Sequence, residues 1–250
     1  MRTLRDAEAG CAWDREQTFA SLTRHTLEEA YEVVDCIERG ELGELPDELG
    51  DLLFQVVFYA QIAAEQGRFD FAEVATRVGD KLLRRHPHVF GDEPPLDAAA
   101  QARRWEALKA AERAAHDARS RSELEGVPLG LPALVRATKL QGRAARVGFD
   151  WDSLPPVLAK VEEELREVEA AVTGADPGAI EAEVGDLLFT CVNLARHLNV
   201  DAETALRRAS ARFTRRFEHM ENEAESRGET LAALPAAALE ELWAQAKRGE

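Results

Sequence analysis

Apolar residues recur along this chain at helical spacing, in segments bounded by glycine and proline, with carboxylates grouped where each segment turns polar. The run Leu52, Leu53, Phe54, Val56, Val57, Phe58 is apolar on most sides, so it predicts a largely buried helix. Glu48 and Asp51, three apart, share a face of its first turn. Residues 26–34 (TLEEAYEVV) predict the helix before it. Four residues advance about 400° around a helix, so Glu28 and Glu32 stack one turn apart with Glu29 beside them. Thr18 or Ser21 suits the cap of this helix, and Gly40 marks its end. In the second half, Asp152 or Ser153 ahead of Pro155-Pro156 opens a helix and Gly174 closes it. Asp176-Pro177 opens the next.

The two halves are copies of one unit. The string DELGDLLF (47–54) returns as AEVGDLLF (182–189), and TLEEAYEVV returns as VEEELREVE (161–169). Glu28, Glu29, Glu32, Glu48 and Asp51 match Glu163, Glu164, Glu167, Glu183 and Asp186, each 135 positions later. A shared offset across both strings leaves no net insertion between them. Trp13-Asp14 and Trp151-Asp152 precede the two units, and KLLRR (81–85) and RFTRR (212–216) follow them. Each unit therefore reads as a Trp-Asp lead-in, a Glu-rich helix, an apolar helix and a basic-ended helix. An Ala/Arg-rich helix is expected around residues 98–116, ahead of a polar stretch. The expected domains are 1–117 and 128–250, joined by a linker at 118–127. Three or four helices with several apolar faces need a partner, whether the other copy or a second chain.

Composition narrows the class. Ala, Leu, Glu and Arg dominate and β-branched runs are scarce, so the expected fold is all-α. The formal charge is −16, from 31 basic and 47 acidic residues, which argues against stable binding to nucleic acid. An acidic protein binds phosphorylated small molecules when a divalent cation stands between carboxylate and phosphate. Cys11, Cys36 and Cys191 lack metal-type spacing and read as reduced thiols. The first ten residues lack an apolar signal core, and the apolar stretch Leu52–Ala64 is too short to span a bilayer. A cytoplasmic location without membrane attachment is expected.

Four or five carboxylates converging from two antiparallel helices repel one another at low dielectric. Hard divalent cations with oxygen ligands neutralise such a set. Mg²⁺ suits best because it keeps several waters and accepts phosphate oxygens as its remaining ligands. The alternative, a merely solvated acidic face, loses ground because the pattern EExxE followed by ExxD occurs twice. A di-iron bundle needs Glu-x-x-His, and none of the six histidines lies three residues after a glutamate. His86-Pro87-His88 alone makes a poor zinc site. Neither a G-x-x-x-x-G-K-[ST] loop nor a G-x-S-x-G elbow is present.

EExxE plus ExxD on successive helices resembles the all-α nucleoside triphosphate pyrophosphohydrolases. Longer strings narrow the likeness to the MazG family: GCAWD (10–14), ELGDLLFQVVF (48–58), RRHPHVF (84–90), VGFDW (147–151) and NLARH (193–197). The resemblance implies two tandem MazG-like helical bundles, completed on dimerisation as a homodimer. It also implies hydrolysis of a broad range of nucleoside triphosphates to monophosphate and pyrophosphate, with roles in nucleotide housecleaning and stress metabolism. Mg²⁺ is the expected cofactor, with Mn²⁺ as a substitute. The expected catalytic and metal-binding set is Glu163, Glu164, Glu167, Glu183 and Asp186. Glu28, Glu29, Glu32, Glu48 and Asp51 form a second metal set in the first copy, which is regulatory or catalytic. The family's activity is associated with the second copy, and Asn193, where the first copy has Phe58, is a candidate nucleotide contact or bundle residue. Lys139, Arg143, Arg212, Arg215 and Arg216 are candidates for the outer phosphates or for surface ion pairs. Trp243 and Lys247 match a family position where a ring stacks on the base, though Trp243 serves equally as a core residue. The rival readings are a metal- or nucleotide-binding regulatory module without turnover and a narrow dUTP or dCTP pyrophosphatase.

Overall fold

The computed structural model describes residues 1–94, 97, 98, 100, 101, 103–105, 107, 108 and 122–249. The chain divides into two compact units, Met1–Asp117 and Ala118–Glu250. Every regular element among the described residues is helical. The helix expected around 98–116 is helical at its described positions between 98 and 108. Its remainder, and residues 118–121 of the expected linker, lie outside the described residues.

The first unit contains α1 (Ala12–Glu16), α2 (Thr23–Arg39), α3 (Leu45–Glu65), α4 (Phe71–Arg85) and α5 (Pro87–Phe90). The short turn between α2 and α3 folds them into an antiparallel hairpin, and α4 packs on α3. Gly40 ends α2 as expected: its φ of 77° lies where a Cβ costs roughly 1–2 kcal/mol. Thr18 and Ser21, by contrast, do not cap α2. They cap each other, Thr18 N–H donating to Ser21 Oγ at 2.9 Å and Ser21 N–H to Thr18 Oγ1 at 3.2 Å. The turn they close delivers Leu22, which is wholly buried, to the head of α2. Burying that leucine outweighs a capped first turn. Leu22, Phe58 and Ile62 form the core, with Met1, Phe19 and Tyr59 against it. Tyr59 stacks on Phe19 with centroids 6.0 Å apart, and its hydroxyl meets Thr26 Oγ1 at 2.9 Å.

The second unit contains α6 (Ala133–Arg146), α7 (Leu154–Gly174), α8 (Pro177–His197), α9 (Ala202–Ser226), a 3₁₀ turn at Leu231–Ala233 and α10 (Ala236–Arg248). Here α7 and α8 form the hairpin, α6 and α9 flank α8, and α10 lies on α9. Asp176 caps α8 as expected, accepting from Gly178 N–H at 3.0 Å. Gly174 does not make the reversal. It is the last residue of α7, and Ala175 takes the left-handed conformation with φ 54°. Because Asp176 already belongs to the next cap, only residue 175 remains to turn the chain. Val157, Val192, Ala137, Met220, Ala224, Leu242 and Ala246 are buried.

Both units fold the Glu-rich helix and the apolar helix into a hairpin with the next helix packed on it, so in these three helices the sequence repeat is a structural one. Each core is thin for its helix lengths. Leu53 on α3 remains 54% exposed, and Leu165 and Leu188 on the second hairpin 50% and 56%. Among the described residues, no helix is long and apolar enough to cross a membrane.

Candidate active site and metal centre

The second copy places Glu163, Glu164 and Glu167 on α7 and Glu183 and Asp186 on α8. One carboxylate oxygen from each of Glu164, Glu167 and Glu183 lies within 4.8 Å of the others. Glu164 is buried at the helix contact. Asp186 is exposed and stays outside this triad. Glu163 also stays outside, and Lys160 Nζ donates to it at 2.8 Å. The same ammonium reaches Glu164 at 2.8 Å, so one lysine bridges both glutamates. Their hydrogen bonds hold the lysine well above its ordinary pKa, Glu163 contributing most, and Lys160 holds Glu163 below the usual carboxylate range. Desolvation raises Glu167; Lys160 opposes this, while Glu164 and Glu183 add to it.

In the first copy the triad is Glu29, Glu48 and Asp51, again within 4.8 Å. It shares two positions with the second triad and takes position 51 in place of the equivalent of Glu167. Desolvation raises the pKa of both Glu29 and Glu48, and the charges of Glu32 and Asp51 raise them further. Glu28 is drawn aside by the His25 ring, Nδ1 to Oε2 at 2.9 Å. His25 stands where the second copy has Lys160. In both copies, then, the residue a turn earlier claims the first glutamate of EExxE. The donors of both triads are all oxygens with crowded negative charge, which fits a hard divalent cation and fits soft or redox-active metals poorly.

The remaining candidates divide. Arg143 donates to the carbonyls of Glu123 and Glu125 and so fastens the segment ahead of α6. Trp243 packs its ring 5.4 Å from Phe213, with the Arg216 guanidinium 5.5 Å away on its other contact. Lys139, Arg212, Arg215 and Lys247 are exposed. Asn193 is buried and accepts from Arg196 at 3.0 and 2.6 Å.

Asn193 also lines a cleft of about 520 Å³ with Gln141, Phe149, Trp151, Phe189 and Thr190. Asp150, at the same cleft, binds Arg196 and His197, the latter at 2.9 Å, and the Trp151 N–H. Arg196 first, then His197, bring its carboxyl down to about 2. Sequence reasoning missed this network because Asp150 and Arg196 are 46 residues apart. It also missed Lys160, although Lys160 stands three and four residues before Glu163 and Glu164, a spacing that pairs side chains on a helix.

The sequence that builds these sites matches a known family. The MazG nucleotide pyrophosphohydrolase domain is found twice, at residues 17–90 and 154–221. The chain is 50% identical over 252 residues to the nucleoside triphosphate pyrophosphohydrolase of Escherichia coli (strain K12), spanning 100% of this chain and 95% of that protein. It is 45% identical over 250 residues to the nucleoside triphosphate pyrophosphohydrolase/pyrophosphatase MazG of Thermotoga maritima, spanning 100% and 94%. Two domain matches, each containing one of the carboxylate triads, establish that the chain belongs to the MazG nucleotide pyrophosphohydrolase family.

Proposed function

We propose that this chain hydrolyses nucleoside triphosphates at the α–β phosphoanhydride, releasing nucleoside monophosphate and pyrophosphate, with the chemistry in the second copy. The observation that carries the reading is the triad Glu164, Glu167 and Glu183, set on α7 and α8 with Glu164 buried. Full-length likeness to proteins named for this activity supports it. Glu164, Glu167 and Glu183 hold Mg²⁺, or Mn²⁺ in its place, with Asp186 and Glu163 at the margin. The cation supplies neutralisation of charge on the phosphate oxygens. A carboxylate of the set left off the cation accepts the proton of the attacking water. Lys160, which already bridges two of the glutamates, turns its ammonium to the phosphates, with Arg212, Arg215 and Lys139 as further cations. Arg216, Trp243 and Lys247 lie on the α9–α10 side and Asn193 on the cleft side as candidate nucleoside contacts. The exposed apolar faces of both hairpins support a homodimer that completes each bundle. The free thiols of Cys11, Cys36 and Cys191 suit a cytoplasmic protein.

The test is release of pyrophosphate and monophosphate from a panel of ribo- and deoxyribonucleoside triphosphates with Mg²⁺. It compares wild type with Glu164→Gln and Glu29→Gln. Loss confined to Glu164→Gln is the expected result. Equal loss in both variants means two jointly required sites, and a wild type that binds metal without turnover overturns the reading in favour of a binding module.

A further inference from the structure

We propose that Asp150 is a positioning residue for the nucleoside: through Arg196 it fixes the Asn193 amide so that the cleft offers that amide's N–H to the base. This rests on the reading that the second copy turns over nucleotides, and it concerns a part of that site that no carboxylate of the triad supplies. Asn193, on α8, is 6% exposed and lines the cleft with Phe149, Trp151 and Phe189. Its Oδ1 accepts from Arg196 Nε at 3.0 Å and from Arg196 Nη2 at 2.6 Å. A guanidinium carries donors only, so the amide turns its oxygen to Arg196 and keeps its nitrogen on the other side. Among the described residues nothing accepts from that Nδ2. A buried amide nitrogen without an acceptor calls for one, and the open space beside Asn193 is the cleft that it lines.

Asp150 is what holds that guanidinium in place. Its carboxylate accepts from the same Arg196 Nη2, which has a second hydrogen to give, from His197 Nε2 at 2.9 Å and from the Trp151 N–H at 2.9 Å. With its pKa down at about 2, the carboxyl stays ionised throughout the neutral range. One carboxylate thus fastens the segment ahead of α7 to the last turn of α8, on either side of the cleft. Without it, a guanidinium whose side chain is 21% exposed is free to swing to water, and the Asn193 amide is free to turn over. Every common base carries a carbonyl oxygen or a ring nitrogen along its edge. A fixed N–H donor beside aromatic rings therefore holds a base without selecting one, which suits a broad nucleotide range. The base takes no part in cleaving the phosphoanhydride, so its contact is made equally in the ground and transition states and acts on KM.

The experiment compares pyrophosphate release with Mg²⁺ from ATP and from ribose 5-triphosphate, which keeps the sugar and phosphates and lacks a base. The full chain is measured as wild type, Asp150→Ala, Asn193→Ala and the double variant. Asp150→Ala should raise KM for ATP about five- to tenfold at unchanged kcat, and should leave KM for ribose 5-triphosphate where it is. The same substitution made on Asn193→Ala, where no amide is left to position, should have little further effect. Arg196→Lys keeps the charge beside Asp150 but replaces the fork with one compact donor, and should raise KM for ATP in the same way. Equal losses on the two substrates in Asp150→Ala, or fully additive losses in the double variant, overturn the proposal. If Asp150→Ala does not fold by circular dichroism, the same comparison on Arg196→Lys decides. A wild type with the same KM for both substrates overturns the positioning role while pyrophosphohydrolysis by the second copy stands. A wild type that turns over neither overturns both.

Discussion

Lys160 occupies the part of the second triad where positive charge is needed, so its removal should cost stability that a divalent cation restores. The perturbation is Lys160→Met, which keeps the apolar stem and deletes the ammonium. Two contacts are lost, both at 2.8 Å: one to Glu164, whose side chain is 6% exposed, and one to Glu163, which is 52% exposed. A hydrogen bond to a desolvated charge contributes about 1.5–3 kcal/mol. The exposed pair to Glu163 adds little, because water screens it. The expected loss is therefore about 2 kcal/mol in the metal-free chain. Because the lysine's pKa is raised in the folded state, its contribution is complete below the ordinary lysine value and fades only as pH rises through the raised one. At pH 7.5 nothing is lost to titration of the lysine. Hydrogen exchange across residues 154–197 reports the local opening of α7 and α8. Mg²⁺ stabilises both proteins, but tenfold tighter binding by the variant adds about 1.4 kcal/mol more to it, so the deficit should shrink by that amount in saturating Mg²⁺. Without nucleotide, the variant should also bind Mn²⁺ about tenfold more tightly, since no ammonium has to be displaced from Glu164. With nucleotide, kcat/KM should fall on the order of 100-fold, because a cation for the phosphates is gone. Equal protection of wild type and variant, or a deficit of the same size with and without Mg²⁺, would refute the reasoning.

Two further outcomes test the packing and electrostatics around the sites. Phe58→Ala empties a wholly buried position against Leu22 and Ile62 and should destabilise the first unit by about 3–5 kcal/mol in urea unfolding; a loss under about 1 kcal/mol would mean that the site collapses or is not core. Asp150→Asn should cost the second unit about 1–2 kcal/mol at pH 7, after discounting for an aspartate side chain that is 23% exposed. Because this carboxyl is brought down to about 2, its contribution is present above the ordinary aspartate value and lost as pH falls from there toward 2. The gap between variant and wild type should therefore shrink below pH 4, and a pH-independent gap would assign the effect to packing.

The helices and the repeat were legible because both rest on local rules. The signals at Gly40 and Asp176 need only a left-handed turn or a short side-chain acceptor, and both took the expected roles. Thr18, Ser21 and Gly174 show where local rules lose. Burial of Leu22 set the start of α2, and the cap at Asp176 moved the reversal to Ala175. Glu164 and Glu183 were legible as carboxylates sharing an interhelical face, since spacing alone puts them there. Which third carboxylate joins them was not, because it depends on how the side chains settle across two helices: Glu167 joins, and Glu163 and Asp186 do not. Asp150 with Arg196, and Arg143 with the carbonyls of residues 123 and 125, are long-range pairings with no period to reveal them.

The comparison of the two copies separates what a carboxylate cluster requires from what it is used for. Both hairpins must hold like charges at the start of an apolar helix, and both do so by drawing the first glutamate of EExxE aside to a residue one turn earlier. The difference lies one and two turns further along the apolar helix. There the first copy places Gln55 and Phe58, an amide over the acids and a ring that closes the core. The second places Thr190 and Asn193, and a cleft stays open beside them. Charge repulsion acts on both clusters, so it does not account for the difference between a filled first unit and an open second one. That difference lies with the neutral residues below the acids. Phe58→Asn, which installs the second copy's residue in this core, should therefore destabilise the first unit in urea unfolding by at least as much as Phe58→Ala, because it adds a buried amide to the lost packing; a smaller loss than Phe58→Ala would mean that a cleft like the second copy's opens around it.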